Sequence, residues 1–122
     1  MPAHFIVYVQ DQGSASAFWR VALGRAPRLD VPGMTEFALE DGAVLGLMPE
    51  AGIRRLVGVA PGGEGVRCEL YLHVPDPAAA HARALAAGAR ELSPPTARDW
   101  GDLAAYSLAP DGVVLAFAAA LR

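Results

Sequence analysis

An internal repeat constrains this chain more than any other feature, because a duplicated string of strand and turn signals commits both halves to the same local architecture. The β-branched and aromatic run His4–Val9 is closed by Asp11, and 65 residues on, the run Glu69–Val74 is closed by Asp76. Each run reads as a strand, and each closing aspartate stands where a helix begins. Gln12–Leu23 carries Phe18, Val21 and Ala22 at helical spacing, has Asp11 or Ser14 as N-cap, and stops at Gly24. Asp76-Pro77 supplies an N-cap and a first-turn proline for Ala78–Ala87, with Gly88 as the stop.

The return path repeats as well. Short apolar runs at Arg28–Val31, Thr35–Glu40 and Ala43–Met48 are divided by Pro32-Gly33 and Asp41-Gly42; Arg90–Leu92, Leu103–Leu108 and Val113–Ala118 follow the second helix. Asp-Gly favours the left-handed backbone of a tight hairpin, and Asp41-Gly42-Ala43-Val44-Leu45-Gly46 aligns with Asp111-Gly112-Val113-Val114-Leu115-Ala116 at an offset of 70. The five extra residues of the second half are assigned to a loop, Pro94–Gly101. Pro49–Arg67, rich in Gly and Pro, reads as a connector with one helical turn around Ile53–Val57. The predicted architecture is α+β: two tandem βαβββ modules, 3–49 and 68–120, joined by 50–67 within one domain spanning 1–122. One helix covers one face of each four-stranded sheet. The remaining faces, turned toward each other, would form a curved, incomplete eight-stranded barrel with an internal cavity.

Composition narrows the function classes. A chain of 122 residues suits one domain with a real core. Ten Arg and no Lys stand against 13 Asp plus Glu, giving a net charge of −3 with no basic block, so a nucleic-acid surface is excluded. The lack of Lys and Asn beside abundant Ala, Gly, Arg and Pro is the mark of GC-rich coding. Cys68, the only cysteine, excludes an intrachain disulfide and a multi-cysteine zinc site, fits a reducing compartment, and reads as a buried small hydrophobe. Met1-Pro2-Ala3-His4 leads directly into the first strand without a basic or long apolar leader, which predicts a cytoplasmic location and no membrane partner. Neither a Gly-x-Ser-x-Gly elbow nor a phosphate-binding glycine loop is present.

In their order and duplication, the strand His4–Asp11, the helix end Phe18-Trp19-Arg20-Val21-Ala22-Leu23-Gly24, the Asp41-Gly42 hairpin, Asp99-Trp100-Gly101 and Asp111-Gly112 resemble the vicinal oxygen chelate superfamily. That group includes glyoxalase I, extradiol dioxygenases, fosfomycin-resistance enzymes and bleomycin-resistance proteins. The likeness covers almost the whole chain and is nearest in style to the metal-free bleomycin-resistance type. The enzymes hold a divalent metal with side chains from the first and last strands of each module, which implies positions His4, Gly46, Glu69 and Ala116 here. Gly46 and Ala116 have no donor, whereas a catalytic divalent site normally takes at least three protein ligands. The expectation is therefore no cofactor and no catalytic residue. The alternative is a metal-dependent lyase, isomerase, transferase or dioxygenase, which would rest one divalent ion on His4 and Glu69. His73 cannot complete that set, being roughly 13 Å along the strand from Glu69. Otherwise His4 and Glu69 read as an ion pair filling the former metal position.

Strand alternation places His4, Ile6 and Tyr8 on one face and Glu69, Tyr71 and His73 on the matching face of the second module. Val44, Met48, Val114 and Ala118 share the parity of Gly46 and Ala116, and the small residues Gly46, Ala116 and Ala118 are expected to leave room. Trp100 is placed at the pocket edge, where the resemblance implies a similar Trp-Gly in related binding proteins. The facing of Phe37 and Tyr106 is not fixed by the pattern. The ligand-binding set is thus His4, Tyr8, Met48, Glu69, Tyr71, His73, Trp100 and Tyr106, around an apolar or aromatic small molecule that is sequestered, as in resistance proteins. A homodimer is implied by the resemblance alone. Arg54 and Arg55 read as solvated charges, and His81, in the Ala-rich second helix, as a surface residue.

Overall fold

The computed structural model describes residues 3–58, 66 and 68–122. The first unit contains β1 (His4–Val9), α1 (Gln12–Leu23), β2 (Leu29–Val31), β3 (Met34–Ala38), β4 (Val44–Pro49) and α2 (Glu50–Val57). The second contains β5 (Cys68–His73), α3 (Pro77–Ala87), β6 (Arg90–Ala97), β7 (Asp102–Leu108) and β8 (Val113–Ala120), with Val21–Gly24 grouped alongside it. In each sheet the first strand lies parallel to the last, giving the orders β1-β4-β3-β2 and β5-β8-β7-β6. The chain is thus the predicted α+β duplication of a βαβββ module.

The local signals explain the elements. Asp11 Oδ2 accepts hydrogen bonds from the Ser14 amide at 2.8 Å and the Ser14 hydroxyl at 2.7 Å, which caps α1 and holds the Asp11 carboxyl below its ordinary pKa. Asp76 Oδ1 accepts from the Ala79 amide at 3.1 Å, and Pro77 opens α3. At the first hairpin Asp41 and Gly42 both adopt left-handed backbone, φ 59° and 82°, as a tight return between strands requires. No helix among the described residues is long and apolar enough to cross a membrane.

One face of each sheet carries the core. Phe37 pairs with Leu45 and Thr35 with Leu47, and all four are buried, as are Val7 and Val9 of β1. On α1 the buried stripe is Phe18, Trp19 and Ala22, with the Phe18 and Trp19 rings edge to face at 5.0 Å. Val21, expected in that stripe, is half exposed; the large indole takes the inward position instead. In the second unit Ala80, Ala84, Leu115 and Phe117 are buried. His81 is buried too, correcting its reading as a surface residue: its Nε2 lies 2.9 Å from Glu91 Oε2. Cys68 is half-buried, and partial burial raises its thiol pKa, with the Asp111 charge adding to the effect.

Two connections differ from expectation. The stretch read as a loop, Pro94–Gly101, is strand as far as Ala97, and register shifts between Glu91 and Ser93 and between Ser93 and Thr96 absorb the extra residues as bulges. Pro94 and Pro95 are tolerated because β6 is the edge of its sheet and the register shift between Ser93 and Thr96 leaves neither proline paired with β7. Helix α2 is longer than the single turn predicted, starting at Glu50. The rest of the predicted connector, 59–65 and 67, lies outside the described residues.

Candidate functional site

The faces opposite the core hold the predicted site residues. In the first unit, Tyr8 pairs with Met48, and Ile6 and Glu36 both flank Gly46. His4 has an acidic neighbour in its own sheet: its Nδ1 stands 3.6 Å from Glu36 Oε2, while Arg28 Nη2 and Nε reach Glu36 Oε1 at 2.8 and 2.9 Å. Glu36, missed in the sequence, is largely buried and fully engaged by these two partners. Its parity opposite Phe37 would have revealed it once Phe37 was assigned to the core.

The room expected at the small residues is absent. A Cβ on Gly46 would lie 2.6 Å from Ile6 Cδ1 and 3.3 Å from Met34 Sδ, so those side chains already occupy the space. Ala116 and Ala118 have no exposed surface. The accessible surface of these faces therefore lies on the larger side chains.

In the second unit that surface is organised around Tyr71. Its hydroxyl donates to Asp102 Oδ2 at 2.6 Å and accepts from Trp100 Nε1 at 2.9 Å. Trp100 sits in a tight turn closed by the Gly101 amide donating to the Arg98 carbonyl at 3.1 Å and the Arg98 amide donating to the Asp102 carbonyl at 2.7 Å. Despite this anchoring the indole remains 60% exposed. Arg98 Nη2 donates to Ser93 Oγ at 2.7 Å and to the Ala104 carbonyl at 2.9 Å, and the guanidinium lies 5.0 Å from the centre of the Tyr106 ring. His73 packs edge-on against Tyr71 at 5.5 Å. The fold thus gathers Glu69, Tyr71, His73, Trp100 and Tyr106 on one face, and His4, Tyr8 and Met48 on the corresponding face of the first unit. Arg98 and Asp102, which hold the aromatic groups in place, were not legible: Arg98 lies beyond the bulges of β6, and Asp102 meets Tyr71 through pairing across β7, β8 and β5.

Desolvation raises the Tyr71 phenol above its ordinary pKa, with the Asp102 carboxylate adding to the shift. Desolvation and then the Glu69 charge do the same for Tyr106. Both phenols are therefore neutral at physiological pH and available as hydrogen-bonding groups. The donor set does not suit a resident divalent ion. Of the four positions implied by the resemblance, Gly46 is filled over by Ile6 and Met34 and Ala116 is a buried methyl. Among the described residues, no three His, Cys, Asp or Glu side chains come together in a group that could hold a metal.

A separate groove of ≈ 500 Å³ runs along α1 in the first unit, lined by Gln12, Ser16, Arg20, Asp30 and Val31 among others. None of the predicted site residues lines it. Gln12 is committed within the fold, since Nε2 donates to the Val31 carbonyl and Thr35 Oγ1 and Oε1 accepts from the Gly33 amide.

Comparison with known proteins agrees with this architecture. The chain is similar to a glyoxalase/bleomycin resistance protein/dioxygenase from Nocardioides, with 24% identity, a TM-score of 0.81, and coverage of 100% of this chain and 84% of that one. It is also similar to a glyoxalase-related enzyme from Fulvimarina pelagi, with 25% identity, a TM-score of 0.84, and coverage of 98% and 87%. A glyoxalase/bleomycin resistance protein/dioxygenase family enzyme from Burkholderia phytofirmans PsJN shares the fold at 18% identity, with a TM-score of 0.84 and 97% coverage of each chain. No curated protein matches the sequence. The glyoxalase-like domain profile matches residues 4–117, nearly the entire chain, and with the duplicated βαβββ fold this shows that the chain belongs to the glyoxalase-like domain family.

Proposed function

We propose that this protein binds an aromatic small molecule on the open face of its second unit, sequestering it without bond cleavage and without a resident metal. One observation carries the reading: Trp100 is fixed through Nε1 to Tyr71, and through Tyr71 to Asp102, yet presents most of its ring to solvent. A large aromatic surface left exposed by folding gains free energy when a planar apolar ligand covers it. Its fixed orientation lowers the entropy cost of that contact. Tyr71, Tyr106, His73 and Glu69 would surround the ligand with polar tips. The filled space at Gly46, and the lack of a third metal donor among the described residues, support the metal-free form.

The test is a thermal-shift screen of planar aromatic compounds on wild type and Trp100→Ala, with metal content and nickel, zinc and manganese titrations run alongside. Ligand-dependent stabilisation in wild type that disappears in Trp100→Ala is the expected result. Stoichiometric tight metal binding lost in His4→Ala would instead favour the metal-dependent enzymes of the family. A third outcome would assign Trp100 to assembly alone: no ligand shifts the melting temperature, while Trp100→Ala turns a concentration-dependent dimer into a monomer.

A further inference from the structure

The groove along α1 belongs wholly to the first unit and shares no residue with the aromatic face of the second. Its two ends differ in chemistry. At one, Arg20 Nη2 stands 3.3 Å from Asp30 Oδ2, with the two side chains 46% and 48% exposed. At the other, Gln12 ties the start of α1 to the β2–β3 turn, donating to the Val31 carbonyl and accepting from the Gly33 amide. Between them the lining is Gly13, Ser16 and Ala17 of α1, with Pro32 beyond β2. Gly13, Ala17 and Arg20 are spaced four and three residues apart, so they share one flank of the helix over about 10 Å.

The charged end is supported from within. Gln12 Nε2 donates to Thr35 Oγ1 at 2.9 Å, and the hydroxyl of the fully buried Thr35 donates to Asp30 Oδ1 at 3.0 Å. One oxygen of Asp30 is thereby fixed, and the other meets Arg20. At that length and exposure the ion pair contributes little to stability, so opening it costs correspondingly little. Ser16, one helical turn before Arg20, is buried, and its hydroxyl has no partner among the described residues.

We propose that this groove is a second binding site, independent of the aromatic one, for a free α-amino acid with an apolar side chain. The ligand ammonium pairs with Asp30 and its carboxylate with Arg20, so one long contact is replaced by two. Ser16, turned about its Cα–Cβ bond, donates to the same carboxylate and is relieved of its unpaired state. The apolar side chain lies along Gly13 and Ala17 toward Pro32, in a space of ≈ 500 Å³ that suits a small molecule. A ligand with both charges on one carbon matches the Arg20–Asp30 pair. A simple cation instead displaces Arg20 and leaves two like charges side by side, and a simple anion does the same at Asp30.

Three compounds with one side chain test this: L-leucine, 3-methylbutylammonium, which lacks the carboxylate, and 4-methylpentanoate, which lacks the ammonium. None has a ring to stack on Trp100. Each is titrated into the ¹⁵N-labelled full chain and into Asp30→Asn, Arg20→Gln, Ala17→Leu and Trp100→Ala, following backbone amides. Asp30→Asn keeps an acceptor for Thr35, and Ala17 is exposed, so a leucine there fills the groove without entering the core. Leucine is expected to shift the Gly13 and Ala17 amides saturably and to bind about fivefold more tightly than either partial compound. Asp30→Asn and Arg20→Gln should each erase that preference, Ala17→Leu should abolish binding, and Trp100→Ala should leave it unchanged. Equal affinity for leucine and a partial compound would overturn the assignment of a zwitterion. Leucine binding that survives Ala17→Leu, or no saturable binding at millimolar concentration, would overturn the site itself.

Discussion

Replacing Tyr71 with Phe removes one oxygen on which two hydrogen bonds depend, and so measures how firmly Trp100 is held. The bond to Asp102 is short, 2.6 Å, and charge-assisted; such bonds contribute roughly 1.5–3 kcal/mol when buried. Tyr71 and Asp102 are only half-buried, so about 1 kcal/mol is a suitable figure after solvent screening. The indole bond at the rim, 2.9 Å, adds about 0.5 kcal/mol. A domain of 122 residues has an unfolding entropy that converts 1 kcal/mol into about 4 °C, so Tyr71→Phe should lower Tm by about 6 °C. The two tryptophans allow the local effect to be read separately: Trp19 is fully buried and Trp100 exposed. Acrylamide quenching of wild type should therefore resolve a protected and an accessible component. Tyr71→Phe should make the accessible component more quenchable and lower its anisotropy, leaving the protected one unchanged. A Tm within about 1 °C of wild type together with identical quenching would refute the claim that Tyr71 fixes the indole.

Other consequences can be checked singly. Trp19→Ala empties the largest fully buried side chain and should cost about 3–5 kcal/mol in urea unfolding. Ser107 is fully buried with its hydroxyl unpartnered among the described residues, so Ser107→Ala should be neutral or stabilising by up to about 1 kcal/mol in the same assay. Glu91→Ala leaves the buried His81 Nε2 without its carboxylate and should destabilise by about 1–3 kcal/mol, most of it recovered when His81 is replaced by Leu in the double mutant. Asp11 has a depressed folded-state pKa. Its contribution is complete above its unfolded value, near 3.9, and is lost as pH falls through the lower folded value; Asp11→Asn should therefore flatten the acid limb of the stability–pH curve.

The fold was legible because its punctuation is local. Asp11, Asp76, Gly24 and Gly88 mark helix ends by backbone chemistry, and the two Asp-Gly turns mark hairpins whatever surrounds them. Errors arose where side-chain contrast is weak or register is not local. In Ala-rich α3 the buried and exposed positions look alike, so His81 was read outward. On α1, Trp19 and Val21 compete for the inward position and the sequence does not rank them. Pro94-Pro95 suggests a loop because only the sheet order, with β6 at the edge, and the bulge between Ser93 and Thr96 show that the two prolines cost no ladder bond there. The alternation that placed Glu69, Tyr71 and His73 together is confined to one strand and was readable. Glu36 beside His4 and Asp102 beside Tyr71 depend on pairing between strands, and Arg98 beside Tyr106 depends on a bulged register, neither of which the one-dimensional pattern carries.

The most direct test follows the indole itself. A proton–nitrogen correlation spectrum of the ¹⁵N-labelled protein contains two indole N–H signals, assigned by Trp100→Phe, and is recorded while a planar aromatic probe, naphthalen-2-ylmethanol, is added. The account predicts a saturable shift of the Trp100 signal with the Trp19 signal stationary. A Trp100 signal that stays in place while the probe binds elsewhere, or while no binding occurs, would contradict it.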